Sequence, residues 1–149
     1  MLKPFILFID QNETNHFPIR SIISQVVPEV RVEAYFDFQS FLNGLDHLTT
    51  SPSLFVLEIS RPTRECQRLI QYLKADALWK KIPIVIFCDE ADPGLLRECY
   101  DSGAASLIVK GNDWGKLSLA LRTTLHYWLH LTHLPHLMSE VLPGLRKRI

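Results

Sequence analysis

Five times along this chain a short apolar run gives way to a longer stretch of helical period, and that alternation limits the fold more than any other feature. The runs are FILFID over residues 5–10, VRVEAYF over 30–36, SLFVLEI over 53–59, IPIVIFC over 82–88 and ASLIVK over 105–110. The first, third and fourth are nearly continuous in apolar residues, as strands of a parallel sheet covered on both faces must be. The second alternates, the pattern of an edge. Between the runs, apolar spacing predicts helices near 15–26, 38–47, 64–76, 93–102 and 113–133. Five βα units in strict alternation predict a doubly wound five-stranded parallel sheet with helices on both faces. Right-handed crossovers then place its functional crevice at the carboxyl ends of the strands.

Local signals agree with this frame. Asp113 is placed to cap the last helix, because its side-chain oxygen can accept from the free N–H groups of the first turn. Gly103 stands where a left-handed residue ends the fourth helix. At about 100° per residue, Leu117, Leu121, Thr124, Leu125 and Trp128 share one side of the last helix, and Arg122, His126, His130 and His133 share the other. Residues 1–134 form the expected domain. Residues 135–149 form a short C-terminal extension, HLMSEVLPGLRKRI after Pro135, that five βα units do not require.

Composition excludes several function classes. At 149 residues the chain suits one domain, and lysine plus arginine equal aspartate plus glutamate at 16 each. No global field therefore draws it to nucleic acid or an anionic membrane. The basic end RKRI reads as a solvated terminus. No apolar run reaches the about 20 residues that span a bilayer, and the opening MLKPFILFID runs into Asp10 instead of a signal-cleavage site. Cys66, Cys88 and Cys99 are odd in number and lack metal-type pairing, which fits a reducing compartment, the cytoplasm.

The strand ends deliver Asp10 and Gln11, then Glu58, Cys88 and Lys110. Two acids and a lysine from three strands converge on one crevice. These segments resemble the receiver domain of two-component response regulators over roughly residues 4–133. FILFIDQNET resembles the family's first strand and acid pair, and LFVLEISRP its acceptor strand, with Pro62 four residues beyond the acceptor position. IPIVIFCDEAD resembles the fourth strand, SGAASLIVKG the fifth with its lysine, and LRTTLHYWLHLTHLP the last helix. The final YWL…LP resembles stand-alone receivers of the phytochrome-partner type. The resemblance implies a flavodoxin-like strand order 2-1-3-4-5, a histidine kinase or another signalling protein as partner, and no enzymatic activity.

Five departures bear on function. In the family, an aspartate at the position of Glu58 takes a phosphoryl group with the help of a divalent ion held by acids on the first strand. Here Glu58 is one methylene longer, and Gln11 replaces the second acid and brings no charge. Cys88 replaces a serine or threonine and loses a strong hydroxyl donor. Leu107 stands at the switch aromatic, and Gly111 where a proline follows the lysine. Lys110 is expected to pair directly with Glu58. Magnesium at Asp10 and Gln11 is expected to bind weakly or not at all, and no other cofactor is implied. The resulting expectation is a receiver that works by protein contacts and is not switched by aspartyl phosphorylation. The alternatives are a receiver retaining weak metal binding or phosphoacceptance, and a small enzyme using the crevice. The enzyme is disfavoured because Asp89, Glu90 and Asp92 follow Cys88 and oppose its thiolate, and because no glycine-rich turn follows the first strand. His126, His130 and His133 can be read as a transition-metal stripe or as a solvated, partner-facing one, and the second reading is preferred. Tyr127, Leu137 and Met138 supply apolar surface for an expected homodimer.

Overall fold

The computed structural model describes residues 4–11 and 19–131. Within them the order is β1 (Phe5–Gln11), α1 (Ile19–Val26), β2 (Arg31–Tyr35), α2 (Phe38–Leu45), β3 (Leu54–Ile59), α3 (Arg64–Ala75), β4 (Ile84–Cys88), α4 (Pro93–Ser102), β5 (Ser106–Val109) and α5 (Trp114–His126). The five strands form one parallel sheet in the order β2-β1-β3-β4-β5. The three continuous apolar runs are its central strands, and the alternating run is an edge. The boundary expected between residues 134 and 135 lies outside the described residues.

The pleat divides the interior into two cores. Ile6, Phe8, Leu54, Val56, Val85 and Phe87 face α1 and α5, where they meet Ile19, Ile22, Ile23, Leu117, Leu121 and Leu125. Leu7, Ile9, Phe55, Leu57, Ile86 and Cys88 face the opposite way, onto α2, α3 and α4. An edge-to-face series crosses this second core, from Tyr35 to Phe41 at 6.0 Å, Phe55 at 5.7 Å and Trp79 at 6.3 Å between ring centroids. Such pairs add to what area burial alone supplies.

Four helices start on side-chain caps. Asp37 accepts from Ser40 N, Thr63 from Cys66 N, Asp92 from Leu95 N and Asp113 from Lys116 N. Gly103 ends α4 at φ 122°, and a Cβ there would lie 2.6 Å from Lys74 Cγ, so both conformation and space call for glycine. The last helix departs from the sequence expectation. Its final turn, Tyr127–Leu131, is a π-helix. The wider turn shifts the phase, so that Trp128 and Leu129 both pack against the α1/α5 core while His130 approaches Glu29.

Replacing Phe55 with alanine should lower unfolding free energy by about 3–5 kcal/mol, because it opens a cavity in the middle of the aromatic series. Replacing Leu119, which is 66% exposed, should change it by no more than about 0.5 kcal/mol. Urea unfolding of the two variants checks this, and similar losses would contradict the assigned core.

Candidate functional site

Register and pleat together decide what reaches the carboxyl edge. Asp10 lies opposite Glu58 across β1 and β3, and Cys88 lies opposite Val109 across β4 and β5. The ladder runs one step beyond the strands, where Lys110 N donates to Cys88 O at 2.8 Å. Alternation carries Asp10 onto the side of Phe8, Glu58 onto that of Val56, Asp89 onto that of Phe87, and Lys110 onto that of Ile108. All four residues therefore belong to the α1/α5 side. Gln11 and Cys88 belong to the other.

At the centre is Lys110, whose side chain is fully excluded from water. Its ammonium donates to Glu58 Oε2 at 2.8 Å and lies 3.3 Å from Asp89 Oδ1. The Glu58 side chain is 2% exposed and that of Asp89 29%. Taking an ammonium out of water is costly unless anions and hydrogen bonds surround it, and here two carboxylates from two strand ends do so. The trio carries a net formal charge of −1, and Asp10 stands next to Glu58 in register. The edge is thus an anionic neighbourhood in which the buried Lys110 ammonium is already engaged.

The loop after β4 is tied in place around this cluster. Asp89 N and Glu90 N both donate to Ser60 O, at 2.9 and 3.2 Å. Arg61 and Glu90 pair at 3.8 Å above them, an exposed contact that contributes little. Gly111 follows Lys110 at φ 68°. Proline is held near φ −65°, so the chain leaves the lysine along a path that a proline at this position cannot take.

The other residues singled out in the sequence fall in several places. Cys88 is fully buried in the α2/α3/α4 core. Burial, with Asp89 next, pushes its thiol up to about 11, so it stays protonated at neutral pH. Leu107 is half-buried on β5, and its N–H donates to the Tyr100 hydroxyl of α4 at 2.9 Å. His126 and His130 lie together on the outer face, ring centroids 5.5 Å apart, with His130 Nε2 3.8 Å from Glu29. Tyr127 is half-exposed and packs edge-on against Trp128. His133, Leu137 and Met138 lie outside the described residues. The sequence reading missed Asp89 as a site residue. The signal was present, since Asp89 is two residues beyond the inward-facing Phe87 and shares its side of the strand.

A divalent ion such as magnesium would meet the carboxylates of Asp10, Glu58 and Asp89 on this side of the sheet. That ion prefers octahedral oxygen ligation with carboxylates among its ligands. One Glu58 oxygen is committed to Lys110, and Gln11 offers an uncharged amide on the other parity. Among the described residues no group of three or more His, Cys, Asp or Glu could hold a metal ion.

Among solved structures, the chain is similar to the phosphorylated cyanobacterial phytochrome response regulator RcpA, with TM-score 0.77 and 18% identity over 90% of this chain and 99% of that one. It is similar to the Mn(2+)-bound form of response regulator Rcp1, with TM-score 0.74 and 15% identity over 89% and 99% of the two chains. A response regulator receiver domain from Rhodospirillum rubrum matches with TM-score 0.72 and 21% identity over 89% and 97%. The chain thus has the five-stranded fold of response regulator receiver domains. No protein-family model and no curated protein sequence matches it.

Replacing Lys110 with methionine removes the ammonium that Glu58 and Asp89 share. The expected loss at pH 7 is about 3–5 kcal/mol, the usual result of breaking a buried pair from one side. Combining Lys110→Met with Glu58→Leu should recover most of it. Urea unfolding of the single and double variants reads this directly, and a single-variant loss under about 1 kcal/mol would contradict the assigned pairing.

Proposed function

We propose that this chain is a receiver-type signalling module that acts through protein contacts and is not switched by aspartyl phosphotransfer. The observation that carries the reading is the buried Lys110 ammonium held between Glu58 and Asp89. In a working receiver the lysine balances the charge of an incoming phosphoryl group. Here that charge is already met by two carboxylates, and a phosphoryl dianion would enter a site of net negative charge. Glu58, at the acceptor position, has a carboxylate oxygen committed to the lysine. Gln11 withholds the second charge that would hold a divalent ion. The module therefore needs neither magnesium nor another cofactor for its role.

Contacts are supported by the surface around α4, β5 and α5. Tyr100, Val109, Trp114 and Leu119 are exposed there. Tyr100, Leu107, Ile108, Leu119 and Ala120 line an open cleft of about 580 Å³. We assign as partners a signalling protein such as a histidine kinase and a second copy of this chain, with Tyr127, His126 and His130 on the neighbouring outer face. We also assign a cytoplasmic setting. No helix among the described residues is long and apolar enough to cross a membrane, and the three cysteines are free. We assign no catalytic reaction, because the strand-end thiol of Cys88 is buried and held protonated.

Incubation with acetyl phosphate and magnesium should leave the intact mass of the protein unchanged, while an ordinary receiver treated in parallel gains a phosphoryl group. A gain that disappears in Glu58→Gln would overturn the proposal and leave a receiver with a retuned acceptor.

A further inference from the structure

All three cysteines of the chain fall in a single core region. Cys66 lies in the first turn of α3, its N–H capped by Thr63. Cys99 lies in α4, in the same buried core cluster, and the two thiols are near enough to interact directly. Gln67, next after Cys66, donates through Nε2 to Oε2 of Glu98, just before Cys99, at 2.6 Å, so the two helices meet at this level. Cys99 is also the sole fully buried residue of α4, and this thiol contact is where that helix is anchored. Its neighbour Tyr100 holds the N–H of Leu107 on the edge strand β5.

We propose that Cys66 and Cys99 form an oxidisable pair whose disulfide ties α3 to α4 and alters the α4–β5 edge. The bond is a modification site independent of the Glu58–Lys110 cluster; its regulatory meaning rests on the reading of the α4–β5–α5 face as a contact surface. The chemistry requires a peroxide-class oxidant. With the Cys66 S–H turned toward Cys99, thiolate character is favoured on Cys99. The Cys99 thiolate attacks one peroxide oxygen, the O–O bond breaks, and a sulfenic acid forms with loss of hydroxide. The Cys66 sulfur then attacks the sulfenic sulfur, and the S–O bond breaks. The released hydroxyl leaves with the Cys66 proton as water. Across both steps two thiols are oxidised, one hydrogen peroxide is reduced, and two waters form.

Burial slows such chemistry, but local opening makes it accessible. A helix held by one fully buried side chain opens at the low end of the free-energy scale of local unfolding. Cys88 does not compete, because it lies on a central strand with its thiol pushed up to about 11. Once formed, the bond fixes the sulfurs about 2.05 Å apart, nearer than a thiol–thiol hydrogen bond allows. Cys99 moves toward α3 and carries Tyr100 with it. In a reducing compartment the pair is regenerated by thiol exchange, as expected of a transient bond.

The test treats the reduced full chain with graded hydrogen peroxide, then unfolds it and alkylates the remaining thiols. The expected result is loss of two of three thiols, a peptide cross-linked through Cys66 and Cys99, an alkyl label on Cys88, and reversal by dithiothreitol. Cys88→Ala should form the same cross-link, which keeps the test decisive even where Cys66→Ala or Cys99→Ala folds poorly. On oxidation the Leu107 amide signal should shift. Three alkylatable thiols after treatment, a bond involving Cys88, bonds only between molecules, or an unmoved Leu107 amide would each overturn the proposal. Phosphoryl uptake is measured separately, so a failure here is distinct from a failure of the contact-module reading.

Discussion

An ammonium group withdrawn completely from water has to be met by anions, and in this chain that requirement falls on Lys110. Its partners come from β3 and from the residue after β4, while the lysine itself follows β5. One cation therefore joins three strand ends. The hydrogen bonds from Asp89 N and Glu90 N to Ser60 O hold the loop that supplies the second carboxylate. On the proposed reading, these built-in carboxylates stand where a phosphate would supply the counter-charge.

The rest of the fold makes such a cluster affordable. Three central strands covered on both faces supply two dense cores, and the pleat sends alternate residues to each. At the carboxyl edge the same alternation places the charged residues on the α1/α5 side and leaves Cys88 with Cys66 and Cys99 on the other. The sheet thus separates an ionic cluster from a thiol cluster that begins one residue away along β4. At the far edge α4 is fastened by Cys99, and Tyr100 links it to β5. The ionic cluster and the thiol cluster thus lie on opposite faces of the same central strand.

The architecture was legible because it is written in periods. Apolar runs at 5–10, 53–59 and 82–88 require burial on both faces, and 30–36 alternates as an edge strand does. Asp113 and Gly103 mark helix ends by mechanisms confined to a few residues. Strand order came from the likeness to receivers, since period alone does not order strands. The π-turn at Tyr127–Leu131 was not legible, because the α-helical spacing continues through it and the shift arises from packing Trp128 and Leu129 onto the core. At the candidate site, Glu58 and Lys110 stood out through their positions. Asp89 did not, because its role depends on the side of the strand it takes after Phe87. The contact between Cys66 and Cys99 depends on how α3 lies against α4, which the sequence does not encode locally.

On the proposed reading, the crevice is closed to the ligands of a working receiver. An NMR titration with magnesium, followed by beryllofluoride as a phosphoryl mimic, tests it at single residues. The amides of Asp10, Glu58, Asp89 and Lys110 should stay where they are at millimolar metal and after the mimic is added. Saturable shifts spreading from Glu58 to Lys110 and on into α5 would contradict the account, and would show the Lys110 ammonium leaving its carboxylates for an external ligand.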